Sequence, residues 1–411
     1  MHRVFQLSRL PSAIGVTILL IPWFCLMWNI TIGEIVPELR FRTKHTVAGV
    51  IEEAAQSLSL EGVLSNRYQT YVSKRIGTLT PIYKPAIRWK NQFYYSLLGT
   101  SGTPSILIGQ NGELFGANYI EEYCARDTAE LRPKAEAWAA RIAEVQRFFE
   151  ARGKIFLYVN TPSKPAVYPE YLPAGYKCPA TEEDRQHKLA VYRSILERHQ
   201  IHYVDAATLI AQARGRYPID LFPRGGIHWN MLGATLAAKA ITEEVNRQSG
   251  SQRLTPFSFT WETSFEPKTS DKDLLEIMNL RWPDERYPVP VPTILSMAAK
   301  DPCRPARITE VGGSFLFTIN AVLQEVACPP VIHYWFYWDK KHFIFDQGPA
   351  KTSIFDPSYR EIPGDAQSRS RELLTDLDVI LFEENEAGMP VSEHGQHFFD
   401  FIAAQASATG S

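Results

Sequence analysis

The sequence predicts an α/β domain with a largely parallel sheet flanked by helices, preceded by a transmembrane signal anchor and a helical arm. Three observations predict it. Between residues 105 and 395, apolar runs of strand length alternate with amphipathic runs of helix length. One of those runs, 307–311, ends in Gly312-Gly313-Ser314, where a strand would turn into a helix. And residues 10–32 are almost continuously apolar behind Arg3 and Arg9, long enough to cross a bilayer as one helix with its basic flank in the cytoplasm.

In chain order, residues 1–9 read as a cytoplasmic N-terminus and 10–32 as the anchor. No small-x-small cleavage site follows the apolar run, so an uncleaved anchor is preferred to a signal peptide. The main domain is then expected in the periplasm. Residues 33–104 read as a mainly helical juxtamembrane arm, with helical spacing in 47–60 and a continuation at 67–76. The aromatic cluster Trp89, Phe93, Tyr94 and Tyr95 is expected to pack that arm against the main domain.

Residues 105–109 and 113–115 form a hairpin around Asn111-Gly112. A helix over 130–151, a buried strand over 154–160, a loop carrying Lys164, a helix over 185–199, a strand over 201–205 and a short helix over 206–214 follow. Residues 249–302 are polar and proline-rich and read as an irregular surface excursion with one short helix over 271–280. The alternation then resumes with a strand at 307–311, a helix at 315–326, strands at 331–338 and 378–383, and helix around 368–374. The stretch from His394 on reads as helix and then small residues, with 396–411 as a C-terminal tail.

Five cysteines and a formal charge of −2 narrow the function. The charge and the lack of a basic block among aromatics exclude nucleic acid as an expected partner. Cys25 falls in the apolar segment, leaving four cysteines for two disulfides in an exported domain, with four free thiols as the alternative. A strand directed toward Ser314 leaves Cys303 at the opposite sheet edge. The returning helix brings Cys328 there too, so Cys303–Cys328 is expected and Cys124–Cys178 follows by elimination.

The stretch from Phe222 to Thr235 holds Gly226-Ile227-His228-Trp229-Asn230 just before a helical run. Asn230 suits the N-cap, which would fix where the His228 ring points. A structural histidine under Trp229 is the alternative. No His or carboxylate stands at helical ligand spacing from His228, so metal catalysis is not expected. No cofactor is expected either: no nucleotide-binding glycine loop is apparent.

Gly112-Glu-Leu-Phe115, the run from Tyr158 to Pro169, Gly226-Ile-His-Trp229 and Val311-Gly-Gly-Ser-Phe315 resemble the periplasmic alginate O-acetyltransferase family, within the SGNH-like hydrolases, in a permuted His-before-Ser order. The resemblance spans roughly 105–387. It implies Ser314 as nucleophile, His228 as base and Asn385 as oxyanion donor, with Asn385 a mere turn residue as the alternative. Lys164, Arg224 and Trp229 are candidate substrate-binding residues. The residues agree: a serine at a strand-to-helix turn needs a base, and its own N–H can face an oxyanion.

Two departures stand out. The family has Asp where this chain has Gly226, and Gly-Asp-Ser where it has Gly312-Gly313-Ser314. Loss of the acid of a Ser-His-Asp triad lowers turnover about ten-thousand-fold. Either a backbone carbonyl holds His228, or another acid such as Asp205, Asp220, Glu384 or Glu386 approaches it, or catalysis has been lost. Gly226→Asp is expected to raise activity if His228 is merely under-supported. The resulting expectation is a membrane-anchored O-acetyltransferase acting on an exported or cell-envelope polysaccharide, supplied by a membrane acyltransferase partner. A carbohydrate esterase and an inactive glycan-binding scaffold are the alternatives.

Overall fold

The computed structural model describes residues 47, 58–72, 83–296, 303–338, 340–346, 358–360 and 371–408. The expected anchor at 10–32 lies outside them, as does much of the arm. Among the described residues, no helix is long and apolar enough to cross a membrane. The chain divides into two compact units, Met1–Pro104 with Leu275–Pro283, and Ser105–Leu274 with Asp284–Ser411.

The first unit contains α1 (Leu60–Leu64) and α2 (Tyr83–Leu98). Asn91 of α2 donates to the Met278 carbonyl at 2.7 Å, and Gln92 accepts from the Trp282 N–H at 2.8 Å. Of the aromatic cluster, Trp89 stands edge-on to Trp282, and both Trp89 and Phe93 remain more than half exposed.

The second unit is a three-layer α/β sandwich. It opens with the hairpin of β1 (Ile106–Ile108) and β2 (Leu114–Gly116), which turns through Asn111 and Gly112, both at positive φ. There follow α3 (Ala117–Cys124), α4 (Thr128–Glu150), β3 (Ile155–Thr161), α5 (Lys164–Val167), α6 (Glu182–Arg198), β4 (Tyr203–Asp205), α7 (Ala206–Ala213) and α8 (Met231–Ser249). Next come β5 (Phe257–Ser264), α9 (Asp273–Ile277, of which Leu275–Ile277 belong to the first unit), β6 (Val289–Ser296), β7 (Arg307–Gly312) and α10 (Leu316–Gln324). The chain ends with β8 (Val331–Phe336), β9 (Lys341–Phe345), β10 (Ser358–Arg360), β11 (Val379–Asn385) and α11 (Glu393–Ala408).

The main sheet runs β10-β9-β8-β7-β11-β3-β4. Its pairs from β8 to β4 are parallel, and β9 and β10 add antiparallel strands at one side. Strand side chains alternate between the two faces, and both faces are dry. Leu157, Val159, Val379 and Leu381 join one core with Ile210, Leu232 and Ile319. Phe156, Tyr158, Ile380 and Phe382 join the other with Ile142, Tyr192 and Phe398. Burial on both faces explains why β3 and β11 read as unbroken apolar runs rather than alternating ones. Each such side chain contributes about 1.5–3 kcal/mol by leaving water.

Two segments differ from expectation. Residues 249–302 are not simply irregular: β5 and β6 pair antiparallel over eight registered positions, Phe257 with Ser296 through Ser264 with Val289. Pro290 and Pro292 disguise β6, but a two-stranded ribbon leaves one side of each strand unpaired, where proline is tolerated. The helix expected from His394 forms as α11 and buries Phe398, Phe399 and Ile402. The strand expected to reach 338 stops at Phe336, since Tyr337 and Trp338 take positive φ.

Both disulfides form as expected, Cys303–Cys328 from the strand direction and Cys124–Cys178 by elimination. Cys303 and Cys328 bridge at a Cα separation of 5.8 Å, and Cys124 and Cys178 at 4.4 Å.

Candidate active site

The carboxyl ends of β7, β11 and β3 lie side by side, with Ser314 in the turn from β7 into α10. Ligand crevices of open parallel sheets form at this edge. His228 arrives from elsewhere, on the loop before α8. Asn230 caps that helix as expected, its side chain accepting from the Leu232 and Gly233 N–H groups at 3.1 Å each. Trp229 anchors the loop: its ring is fully buried against Phe315 and its Nε1 donates to Thr318 at 2.7 Å. Trp229 is therefore core, not the substrate-binding residue anticipated.

This anchoring brings His228 Nε2 to 2.7 Å from Ser314 Oγ. The ring lies edge-on to Phe315, with centroids 4.9 Å apart. On the far side of the imidazole, Nδ1 meets Asp273 Oδ2 at 2.5 Å, while Asp273 Oδ1 accepts from the Ile227 N–H at 2.9 Å. One carboxylate thus fixes both the ring and the backbone that carries it, leaving Nε2 toward the serine. The arrangement is a complete Ser-His-Asp relay, able to activate a hydroxyl nucleophile and to stabilise the imidazolium that forms.

Asp273 was not among the candidate acids, and each of those is committed elsewhere. Asp205 caps α7 through Thr208, and Asp220 accepts from Tyr171. Glu384 accepts from Trp138 and Tyr158, and Glu386 from the N–H and hydroxyl of Ser163. The geometry also explains Gly226. A Cβ there would stand 2.3 Å from the Ser270 carbonyl and 2.8 Å from Pro223. The segment 270–273 occupies the space a side chain at 226 would need, and it supplies the carboxylate itself. The available signal was Asp271-Lys272-Asp273 before the apolar Leu274-Leu275, one acidic pair in a stretch with no other mark of a site.

Lys164 also departs from expectation. Its ammonium is buried, not offered to a cleft: it pairs with Glu113 at 2.9 Å and donates to the carbonyls of Leu114, Pro223, Arg224 and Gly226. Burial pulls its pKa below the usual lysine range, and Glu113 opposes that shift. The residue ties β2 to the loop that carries His228. Arg224 pairs with Asp284 at 2.7 Å, stacks on Tyr287 and lines a different cleft, of about 620 Å³ with Arg214, Tyr217 and Arg286.

Ser314 opens on a cleft of about 460 Å³ whose lining includes Tyr119, Tyr337, Asn385, His394 and His397. Asn385 shares that cleft, but its amide donates to Pro162 O at 2.8 Å and to Thr161 Oγ1 at 3.2 Å. Both of its protons therefore brace the β3–α5 turn. Glu383, buried at the end of β11, accepts from the Gly313 N–H at 2.6 Å and from Thr161 Oγ1 at 2.5 Å. Burial raises its pKa, and these two donors oppose the rise.

A parallel α/β sandwich with a serine, histidine and aspartate converging at the strand ends defines the class: an SGNH-like α/β domain. Residues 106–308, just under half of the chain, match the family described as the SGNH hydrolase-like domain of acetyltransferase AlgX. The resemblance to the alginate O-acetyltransferase family is thereby shown. The matched region contains His228 and Asp273 and ends short of Ser314. A probable alginate O-acetylase AlgJ of Pseudomonas putida is 28% identical over 152 residues, which is 37% of this chain and 37% of that protein.

Solved structures with similarity include the O-acetyltransferase domain of P. putida AlgJ, at 17% identity over 74% of this chain and 100% of that one, with a TM-score of 0.46. Pseudomonas aeruginosa AlgX is similar at 13% identity over 72% of this chain and 67% of that one, TM-score 0.46. Bacillus cereus PatB1 follows at 11% identity over 70% and 98%, TM-score 0.44.

Proposed function

We propose that this protein is an O-acetyltransferase that moves acetyl groups onto hydroxyls of an exported or cell-envelope polysaccharide. The observation that carries the reading is the relay itself, Ser314 Oγ to His228 Nε2 at 2.7 Å and His228 Nδ1 to Asp273 at 2.5 Å. Ser314 Oγ attacks the acetyl carbonyl as His228 takes its proton, and the carbonyl electron pair moves to oxygen. Collapse expels the donor's leaving group, protonated by His228, and leaves acetyl on Ser314. A sugar hydroxyl then gives its proton to His228 and takes the acetyl group, restoring the serine.

Two disulfides suit an oxidising compartment, and the apolar run behind Arg3 and Arg9 suits an inner-membrane anchor. A periplasmic domain fed by a membrane acyltransferase partner accommodates both. Acetyl transfer from an activated aryl acetate to candidate glycans tests the reading. Wild type should acetylate an acceptor, and Ser314→Ala and His228→Ala should not while keeping their fold. Release of free acetate with no acetylated glycan from any polymer would make it an esterase. A Ser314→Ala protein that still acetylates would end the serine mechanism.

A further inference from the structure

We propose that the Tyr337 hydroxyl is the side-chain donor of the oxyanion hole. This inference rests on the acyl-transfer reading of Ser314. Negative charge on the attacked carbonyl oxygen requires donors already aimed at it, and several donors around Ser314 are engaged. The Gly313 N–H is held by Glu383, both amide protons of Asn385 by Pro162 and Thr161, and the Tyr334 hydroxyl by the Gly313 carbonyl.

Tyr337 remains. Its phenol lines the Ser314 cleft, and its oxygen sits where a Cβ on Gly313 would be only 3.2 Å away. Its oxygen accepts from the Ser314 N–H and lies against the Ser314 side chain, which leaves the phenol proton to be donated, while burial and the neighbouring Glu383 keep the phenol protonated. The backbone holds it there at a conformational cost. Tyr337 and Trp338 have φ of 44° and 61°, a region bulky residues avoid unless their surroundings impose it. Those surroundings are visible: the Tyr337 N–H donates to Gly312 O at 2.8 Å, and the Trp338 ring packs against Phe398 and Phe401. The second departure from the family motif follows. A side chain at 313 would meet this ring, so Gly313 and Tyr337 occupy one space between them.

The test is Tyr337→Phe, which removes one hydroxyl and keeps the ring. On a soluble aryl acetate, kcat should fall about 10²–10³-fold with KM changed less than about twofold. Affinity for a small boronic acid, whose boron takes Ser314 Oγ to form a tetrahedral anion, should fall by a similar factor while the thermal midpoint holds. If Tyr337→Phe fails to fold, Gly313→Ala, which pushes the phenol aside, should produce the same paired losses. Unchanged kcat and boronate affinity in a folded variant would overturn the inference and leave the serine mechanism standing. A Ser314→Ala enzyme that retained wild-type turnover would instead remove the reading on which it depends.

Discussion

His228 Nδ1 and Asp273 Oδ2 meet at 2.5 Å across 45 positions of sequence, and the same carboxylate holds the Ile227 N–H. The acid has not been lost with Gly226. It comes from a segment that packs against the histidine loop from outside the family's Asp-x-His motif.

Asp273→Asn keeps the shape of the side chain and removes its charge. It permits the wrong imidazole tautomer and leaves the imidazolium unsupported. Turnover on a soluble acetyl donor should fall by about 10⁴ with a smaller change in KM. Steady-state kinetics measure this, and a loss below about tenfold would show that Asp273 does not serve His228.

Gly226→Asp should not help. The added Cβ would collide with the Ser270 carbonyl at 2.3 Å and displace the segment that carries Asp273. Overpacking of this kind costs about 1–3 kcal/mol, so both the thermal midpoint and kcat should drop. A variant more active than wild type would mean that the loop relaxes freely around the new side chain.

Lys164→Met tests whether Lys164 binds substrate or braces the site. Removing the ammonium leaves Glu113 and four carbonyls without their shared donor. Breaking a buried pair from one side costs about 3–5 kcal/mol. Denaturant unfolding should register that loss, with kcat falling as the His228 loop loosens. A rise in KM alone, with unfolding unchanged, would return Lys164 to the substrate.

Glu310 supplies a pH signature. It is fully buried, accepts from Asn320 at 2.7 Å, and burial pushes its carboxyl up to about 8. The native state therefore keeps a proton that the unfolded chain releases near 4.5. Between those values the native state binds more protons, so this group's contribution to stability falls as pH rises, by up to about 1.4 kcal/mol per unit, and levels off above 8. Glu310→Gln has no proton to lose. Its unfolding free energy should gain on wild type from pH 5 to pH 8, and a constant difference across that range would contradict the assignment.

The sequence by itself determined the parts whose physics is local. Two dry faces made β3 and β11 unbroken apolar runs, so the parallel sheet was legible. Asn230 marked the start of α8, and Gly312-Gly313-Ser314 marked the turn after β7. Strand direction then carried the Cys303–Cys328 pairing, and elimination left Cys124 with Cys178. Only the tertiary structure decided how the site is completed. Asp273, Lys164 and Tyr337 lie on segments far apart in sequence from the groups they serve, and a side chain's partner is set by where segments pack, not by its neighbours. The same physics misled the reading of Lys164 and Trp229. A charged or amphipathic residue beside a motif looks available to a ligand until the fold encloses it, and here Glu113, four carbonyls and Thr318 had already claimed both.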